Sequence, residues 1–218
     1  MPSCDRLPRS FYDVPCEDLA RKMLGKVLCR DGPAGVTLKA RVVETEVYPG
    51  GDDRASHSYQ GKKTERNRAM FAEPGTAYVY MTYGMYFCFN VSSRGEGAAV
   101  LLRALQPVAG ASAMQENRRR RTRSKKAGAK DVKEDKLCNG PAKLCQAFGI
   151  ERDNVNMTDM ADDGADLWLE DDGEAVDGGD VVVATRVGID GAGEESAKAP
   201  FRFYIRGNPC VSVVDKTK

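Results

Sequence analysis

Val36-Thr-Leu-Lys-Ala-Arg-Val-Val-Glu-Thr-Glu-Val-Tyr48 alternates along its length. Val36, Leu38, Ala40, Val42, Glu44, Glu46 and Tyr48 share one face, and Lys39, Arg41, Val43, Thr45 and Val47 the other, which is the period of a β-strand. The first face begins apolar and ends in two carboxylates. Upstream, the stretch from Asp13 to Gly25 carries an acidic cap, an early proline, apolar residues at helical spacing and a glycine stop, so a helix is expected from about Pro15 to Leu24. Downstream, residues 49–63 read as loop, and Thr64 to Phe71 as a brief helix capped by Thr64.

Tyr78-Val-Tyr-Met-Thr-Tyr-Gly-Met-Tyr-Phe-Cys-Phe-Asn90 follows. Two aromatic-rich strands of period two are broken at Gly84, a hairpin that projects Tyr83 and Met85 from its tip. A large apolar side chain on a loop tip needs something to enter, and a base stack is one such target. Ala98 to Leu105 reads as a buried strand interrupted by Arg103, which needs a partner. Residues 108–136 start like a helix and turn strongly basic, so a mobile loop is expected at about 116–134. Asn139 to Gly149 reads as a short helix whose amino end could hold a phosphate. Val181–Val187, Phe201–Ile205 and Val211–Val214 read as further strands. Strands interleaved with few short helices favour a mixed α/β (α+β) architecture. The expectation is a single compact domain over 11–215, with a curved, antiparallel-rich sheet, short surrounding helices, a protruding hairpin and a mobile tail at 1–10.

At 218 residues and 41% hydrophobic content, the chain can bury a substantial core. No stretch has the length of a membrane span, and the opening residues lack the apolar core of a secretory signal, so a soluble intracellular protein is expected. The seven cysteines are odd in number and widely spaced, which suits buried thiols better than a disulfide framework. The formal net charge of +1 hides a segregation: residues 1–150 sum to +10, 151–195 to −13 and 196–218 to +4. If the acidic run, densest at 159–180, lies to one side, the remainder offers a field that attracts a polyanion.

Chemistry could sit at the end of the long strand and in the loop after it, in Glu44, Glu46, Tyr48 and His57. Sharing a face with Val42, Glu46 should point into a partly desolvated space, with Arg103 as partner. From the residues alone, the favoured reading is a buried structural ion pair of Glu46 with Arg103 beside a hydrogen-bonded loop histidine at His57, with catalysis as its alternative. Metal-assisted hydrolysis on Glu44, Glu46 and His57 is a third possibility. No Walker loop, dinucleotide fingerprint, nucleophile elbow or HExxH motif is present.

Several segments, taken together and in order, resemble the alkyladenine (3-methyladenine, or N-methylpurine) DNA glycosylase family. They are Arg41–Tyr48, Ala55–Ser58, Thr64–Phe71, Pro74–Tyr80 with Tyr83–Asn90, Val100–Leu105, Asn139–Leu144 and Arg186–Gly188. The likeness runs from about Phe11 to Asp215. It implies a monofunctional glycosylase of base excision repair that flips alkylated or deaminated purines (3-methyladenine, 7-methylguanine, hypoxanthine, ethenoadenine) out of duplex DNA and hydrolyses the N-glycosidic bond, without lyase activity, metal or cofactor. Glu46 would activate water, with Arg103 and the carbonyl of Val187 completing its cradle. Tyr48 and His57 would sandwich the base, Tyr80 would meet its edge and Asn90 the floor, and backbone N–H groups near Ala55 and His57 would bond the purine. Tyr83 would fill the vacated stack beside Met85 and Tyr86, while Lys62, Thr64, Arg66 and Lys143 would contact DNA. The implied partner is double-stranded DNA carrying a damaged purine, the implied state a monomer, and the implied compartment the nucleus, with the mitochondrion as a second. The chain departs from the family's usual pattern at Lys62, where arginine is common, at Cys210, where tryptophan is, and in the acidity of 159–180. A non-catalytic binder of DNA damage and a metal-dependent phosphoesterase are the rival functions.

Overall fold

The long alternating strand is the axis on which the rest is hung. The computed structural model describes residues 5–32, 35–121 and 131–215. Among these the chain runs β1 (Asp5–Arg6), α1 (Arg9–Tyr12), α2 (Cys16–Met23), β2 (Val27–Asp31), β3 (Thr37–Tyr48), β4 (Ala77–Thr82), β5 (Tyr86–Ser92), β6 (Ala99–Ala109), α3 (Ala111–Arg121), α4 (Pro141–Phe148), α5 (Arg152–Val155), β7 (Leu167–Asp171), β8 (Val181–Ala184), α6 (Glu194–Lys198) and β9 (Arg202–Ile205). The strands form one antiparallel sheet in the order β1-β7-β2-β3-β6-β5-β4, and β9 also pairs with β3 and carries β8 on its other side. The first part of β3 pairs with β2 and its last part with β9, on the edge opposite β6.

Two bulges face each other across β3 and β6 and decide where the charged side chains go. Val42 pairs with Leu105 and Glu44 with Ala104, which leaves Val43 as an extra residue on β3. Thr45 then pairs with Leu102, which leaves Arg103 extra on β6. One inserted residue exchanges the faces of everything beyond it. Leu38, Ala40 and Val42 lie in the main core, and beyond the bulge it is Val47 that does so, while the Thr45 hydroxyl donates to the Ala20 carbonyl of α2. Glu44 and Glu46 therefore face away from the Val42 side, which corrects the unbroken alternation read from the sequence.

The main core packs Leu19 and Met23 of α2, Leu28, Phe89, Leu102, Leu105, Phe148 and Phe203. A second cluster holds Val43, Ala104, Val182, Tyr204, Cys210 and Val211, and a third holds Ala69, Met70, Tyr78 and Ala99. The helix expected at Pro15–Leu24 forms as α2, with Cys16, Leu19, Ala20 and Met23 buried on one face. At the hairpin tip Tyr83 and Gly84 both have positive φ (52° and 66°), and the Met85 N–H closes the turn on the Thr82 carbonyl. Glycine takes that conformation freely and a tyrosine does not.

Several expectations are corrected. Val211–Val214 forms no strand, because its backbone is bonded by side chains instead: the Ser212 N–H donates to Glu44 and Arg202 donates to the Val213 carbonyl. The first ten residues are not wholly a tail: Asp5 and Arg6 pair with Asp171 and Glu170, and Leu7 is buried. Thr64 caps no helix; the short 3-10 turn there is Arg68–Phe71, and Asn67 occupies its cap position. Of the loop expected at 116–134, residues up to Arg121 belong to α3, Glu134–Lys136 form a 3-10 turn, and 122–130 lie outside the described residues.

The acidic run is not set apart from the basic half. It supplies β7, and its carboxylates pair with Arg9, Lys26, Arg30, Lys39 and Arg41. Part of the amino-terminal positive charge is thus neutralised in place. Among the described residues six cysteines are buried and outside any disulfide, and no helix is long and apolar enough to cross a membrane.

Candidate active site

The bulged strands β3 and β6, with β9 alongside, bring two acids and two guanidinium groups together beneath a pocket. Glu44 and Glu46 have no solvent exposure. Glu44 is locked: Oε1 accepts from Arg202 Nη1 at 2.9 Å and lies 3.3 Å from Arg103 Nε, and Oε2 accepts from the Ser212 N–H at 2.7 Å. Glu44 is held as a structural acid, shared by Arg202 and Arg103.

Glu46 has a different environment. Oε1 accepts from the Val187 N–H at 2.8 Å and lies 3.4 Å from Arg103 Nη1, while Oε2 accepts from the Tyr48 hydroxyl at 3.0 Å. Burial raises its pKa above the usual carboxylate value, against the opposing pull of Arg103, the Val187 amide and Tyr48. Val187 meets Glu46 through its backbone N–H. Burial also drives the Tyr48 pKa well upward, so the phenol keeps its proton and is the donor to Glu46.

Tyr48 forms part of a cavity of about 230 Å³ lined also by Ala55, His57, Arg66, Met70, Tyr78, Tyr80, Thr82, Asn90 and Ile189. Four of the five residues expected to receive a base are aromatic or amide side chains gathered here: Tyr48, His57, Tyr80 and Asn90. His57 Nδ1 is hydrogen-bonded to the Tyr78 hydroxyl at 2.8 Å, and its ring stands edge-on to Tyr80, 4.6 Å between centroids. Burial, then the nearby Arg66, lowers the His57 pKa, which leaves a neutral imidazole at pH 7. Asn90 is buried and donates Nδ2 to the Tyr78 carbonyl. Ala55 lines the pocket, but its N–H is bonded to Asp53 Oδ1 at 3.2 Å.

The last pocket residue on β4, Thr82, is followed at once by Tyr83, which is 86% exposed. Met85 and Tyr86 are exposed beside it. A row of large apolar groups thus stands at the rim of an aromatic pocket. Lys62, Thr64, Arg66 and Arg68 are exposed along the preceding loop. The Thr64 hydroxyl is bonded internally to Asn67 Oδ1, and Arg66 does more than face outward, lying 5.5 Å over the Tyr80 ring. Lys143, on α4, donates to Asn139 Oδ1.

The triad of Glu44, Glu46 and His57 does not assemble as a metal site. Both oxygens of Glu44 are taken by arginines and an amide, and His57 Nδ1 is engaged by Tyr78. No group of three His, Cys, Asp or Glu side chains among the described residues is placed to share an ion.

Some residues of this site received no role from the sequence. Asn67 bonds the carbonyls of His57 and Lys62 with one end and Thr64 with the other, and so shapes the loop that carries His57. Arg186 and Asp53 form a buried bidentate pair at 2.6 and 2.7 Å. The Arg186 guanidinium also bonds the Val47 carbonyl and lies 4.8 Å behind the Tyr48 ring. Arg186 follows an apolar run, the same signal that singled out Arg103.

Comparison with known proteins gives this geometry a context. The family model described as methylpurine-DNA glycosylase matches residues 10–209. The chain is 49% identical over 211 residues to a protein of Homo sapiens named DNA-3-methyladenine glycosylase, covering 97% of this chain and 69% of that one. It is 49% identical over 212 residues to a Mus musculus protein of the same name, covering 97% and 62%. A probable DNA-3-methyladenine glycosylase of Encephalitozoon cuniculi is 46% identical over 202 residues, covering 92% and 90%. The chain spans about two thirds of the length of the two mammalian relatives and most of the third.

Proposed function

Because the chain belongs to the methylpurine-DNA glycosylase family, whose members hydrolyse N-glycosyl bonds in DNA repair, we propose that it excises alkylated and deaminated purines from duplex DNA by direct attack of water. The observation that carries this reading is the Glu46 carboxylate. It is wholly buried, hydrogen-bonded to the Tyr48 wall of an aromatic pocket, and its ionised form is supported by Arg103 and the Val187 N–H.

A base inside a duplex hides its glycosidic bond, so it must be extruded at a cost of a few kcal/mol. In this reading Tyr83 enters the gap, with Met85 and Tyr86 beside it in the minor groove, and Tyr48 and His57 stack on the extruded purine. Tyr80 meets the base edge, and Asn90 excludes an extra exocyclic amine at the floor. The C1′–N bond breaks as positive charge builds on the sugar. Ionised Glu46 offsets that charge and takes a proton from the water whose oxygen bonds C1′. The base leaves with the bonding electrons and the DNA backbone stays intact. Lys62, Arg66, Arg68 and Lys143 supply phosphate contacts, so affinity falls steeply with added salt. A monomer acting in the nucleus fits this chemistry.

The test is incubation with a duplex containing a single hypoxanthine, with mass detection of the free base and the DNA product. Release of hypoxanthine with an uncut abasic strand supports the reading. Unchanged DNA across hypoxanthine, ethenoadenine and 3-methyladenine duplexes would sink it and leave a binder of damaged DNA.

A further inference from the structure

After β9 the chain returns across the charged cluster without forming a strand, and its contacts there are specific. Cys210 and Val211 are buried in the second apolar cluster. The Val213 carbonyl accepts from Arg202 at 2.7 Å, and the Asp215 N–H donates to the Tyr204 hydroxyl at 3.0 Å. Between these anchors Ser212 makes two bonds of different kind: its N–H goes to Glu44 Oε2 at 2.7 Å, and its hydroxyl oxygen accepts from Arg103 Nε at 3.0 Å. This segment lies beyond residue 209, where the family match ends.

We infer that Ser212 is a positioning residue for base excision, holding Arg103 so that its Nη1 is presented to Glu46. The inference rests on the glycosylase reading above. The physical reason is competition for one cation. Arg103 stands between two buried acids, 3.3 Å from Glu44 through Nε and 3.4 Å from Glu46 through Nη1. A guanidinium is a rigid planar fork, so pinning Nε fixes where its other nitrogens point. Without the Ser212 hydroxyl, Nε is left with Glu44 alone, the plane can turn toward that acid, and Glu46 loses its cationic neighbour. The Ser212 N–H holds Glu44 from the other side, in step with Arg202.

The charged and titratable groups around Glu46 are few. Glu44 and Tyr48 lie on its own strand, Arg103 on β6, Cys88 on β5, Arg202 on β9 across Glu44, and Arg186 behind Tyr48. Of these Arg103 is the cation in direct contact with Glu46, so moving it makes the carboxylate harder to ionise.

The experiment compares wild type, Ser212→Ala and Ser212→Thr in single-turnover excision of hypoxanthine across pH, alongside damaged-duplex affinity and melting temperature. Ser212→Ala is expected to move the acidic limb of the rate profile up by about one pH unit, about tenfold in rate on that limb, with affinity retained. Ser212→Thr restores the limb. An unmoved limb in Ser212→Ala overturns the inference, as does a folded Ser212→Thr that behaves like Ser212→Ala. If Ser212→Ala fails to fold, Ser212→Cys carries the test, since it keeps the N–H and the volume but offers a poor acceptor; a wild-type limb there is equally fatal. Inactive wild type would defeat the proposed function and this inference together, whereas active wild type with an unmoved limb defeats this inference alone.

Discussion

The Tyr48 hydroxyl donates to Glu46 Oε2 at 3.0 Å, so one wall of the aromatic pocket is bonded directly to the buried acid beneath it. Two residues apart on β3, they share a face, and the bulge at Val43 turns that face away from the main core. In the proposed reaction the same phenol has two separable duties, stacking on the base through its ring and holding the carboxylate through its oxygen.

Tyr48→Phe separates them. The ring remains and the donor is lost, so Glu46 ionises less readily. Excision at neutral pH is expected to fall by about tenfold, in line with the loss of one hydrogen bond to a charged group, and to recover as pH rises. Affinity for damaged duplex is retained. A pH–rate profile of this variant checks it; a uniform loss at all pH values would contradict the assignment.

Tyr83→Ala tests the exposed tip. At 86% exposure the ring contributes little to folding, and the melting free energy should stay within about 0.5 kcal/mol of wild type. Binding to a lesion duplex should weaken by about 1–3 kcal/mol, the worth of one stacked aromatic. Thermal melting and a duplex titration on the same preparation distinguish a wedge from a structural residue.

Asp53→Ala removes half of a buried ion pair. Arg186, whose side chain has no exposure, keeps its charge with no carboxylate partner, which costs about 3–5 kcal/mol. For a chain of this size that is roughly 6–20 °C in melting temperature. Arg186 also backs the Tyr48 ring and bonds the Val47 carbonyl, so base excision should fall further than the population of folded protein does.

Much of this site could be read in the residues, and the exceptions have physical causes. The hairpin and its displayed Tyr83 follow from local pattern and one glycine. Glu46 and Arg103 stood out as charges in apolar strands, and both are buried as such residues must be. The pairing of Glu44 with Arg202 and Ser212 joins positions more than 150 residues apart, which no local pattern encodes. The two facing bulges were invisible because each leaves the alternation intact in sequence and shifts it only in space. Strand β7 escaped because the acidic run was read as charge, while Leu167 and Leu169 inside it carry the buried face of a strand.

Glu46 also couples function to stability with a definite sign. Burial raises its pKa in the folded protein above the ordinary 4.5, so the folded state holds the proton more tightly than the unfolded one. Stability is therefore lost as pH rises from about 4.5 through the folded pKa. Glu46→Gln removes that dependence. Its melting temperature relative to wild type should climb over this window and then level off; a gap that is flat or shrinks with pH would contradict the direction of the shift.

The most direct measurement uses that same variant on a hypoxanthine duplex, with equilibrium binding and single-turnover base release recorded together. If Glu46 activates the water, Glu46→Gln binds damaged DNA like wild type and releases base about 10²- to 10⁴-fold more slowly. Base release at the wild-type rate, from a variant that binds equally well, would contradict the account.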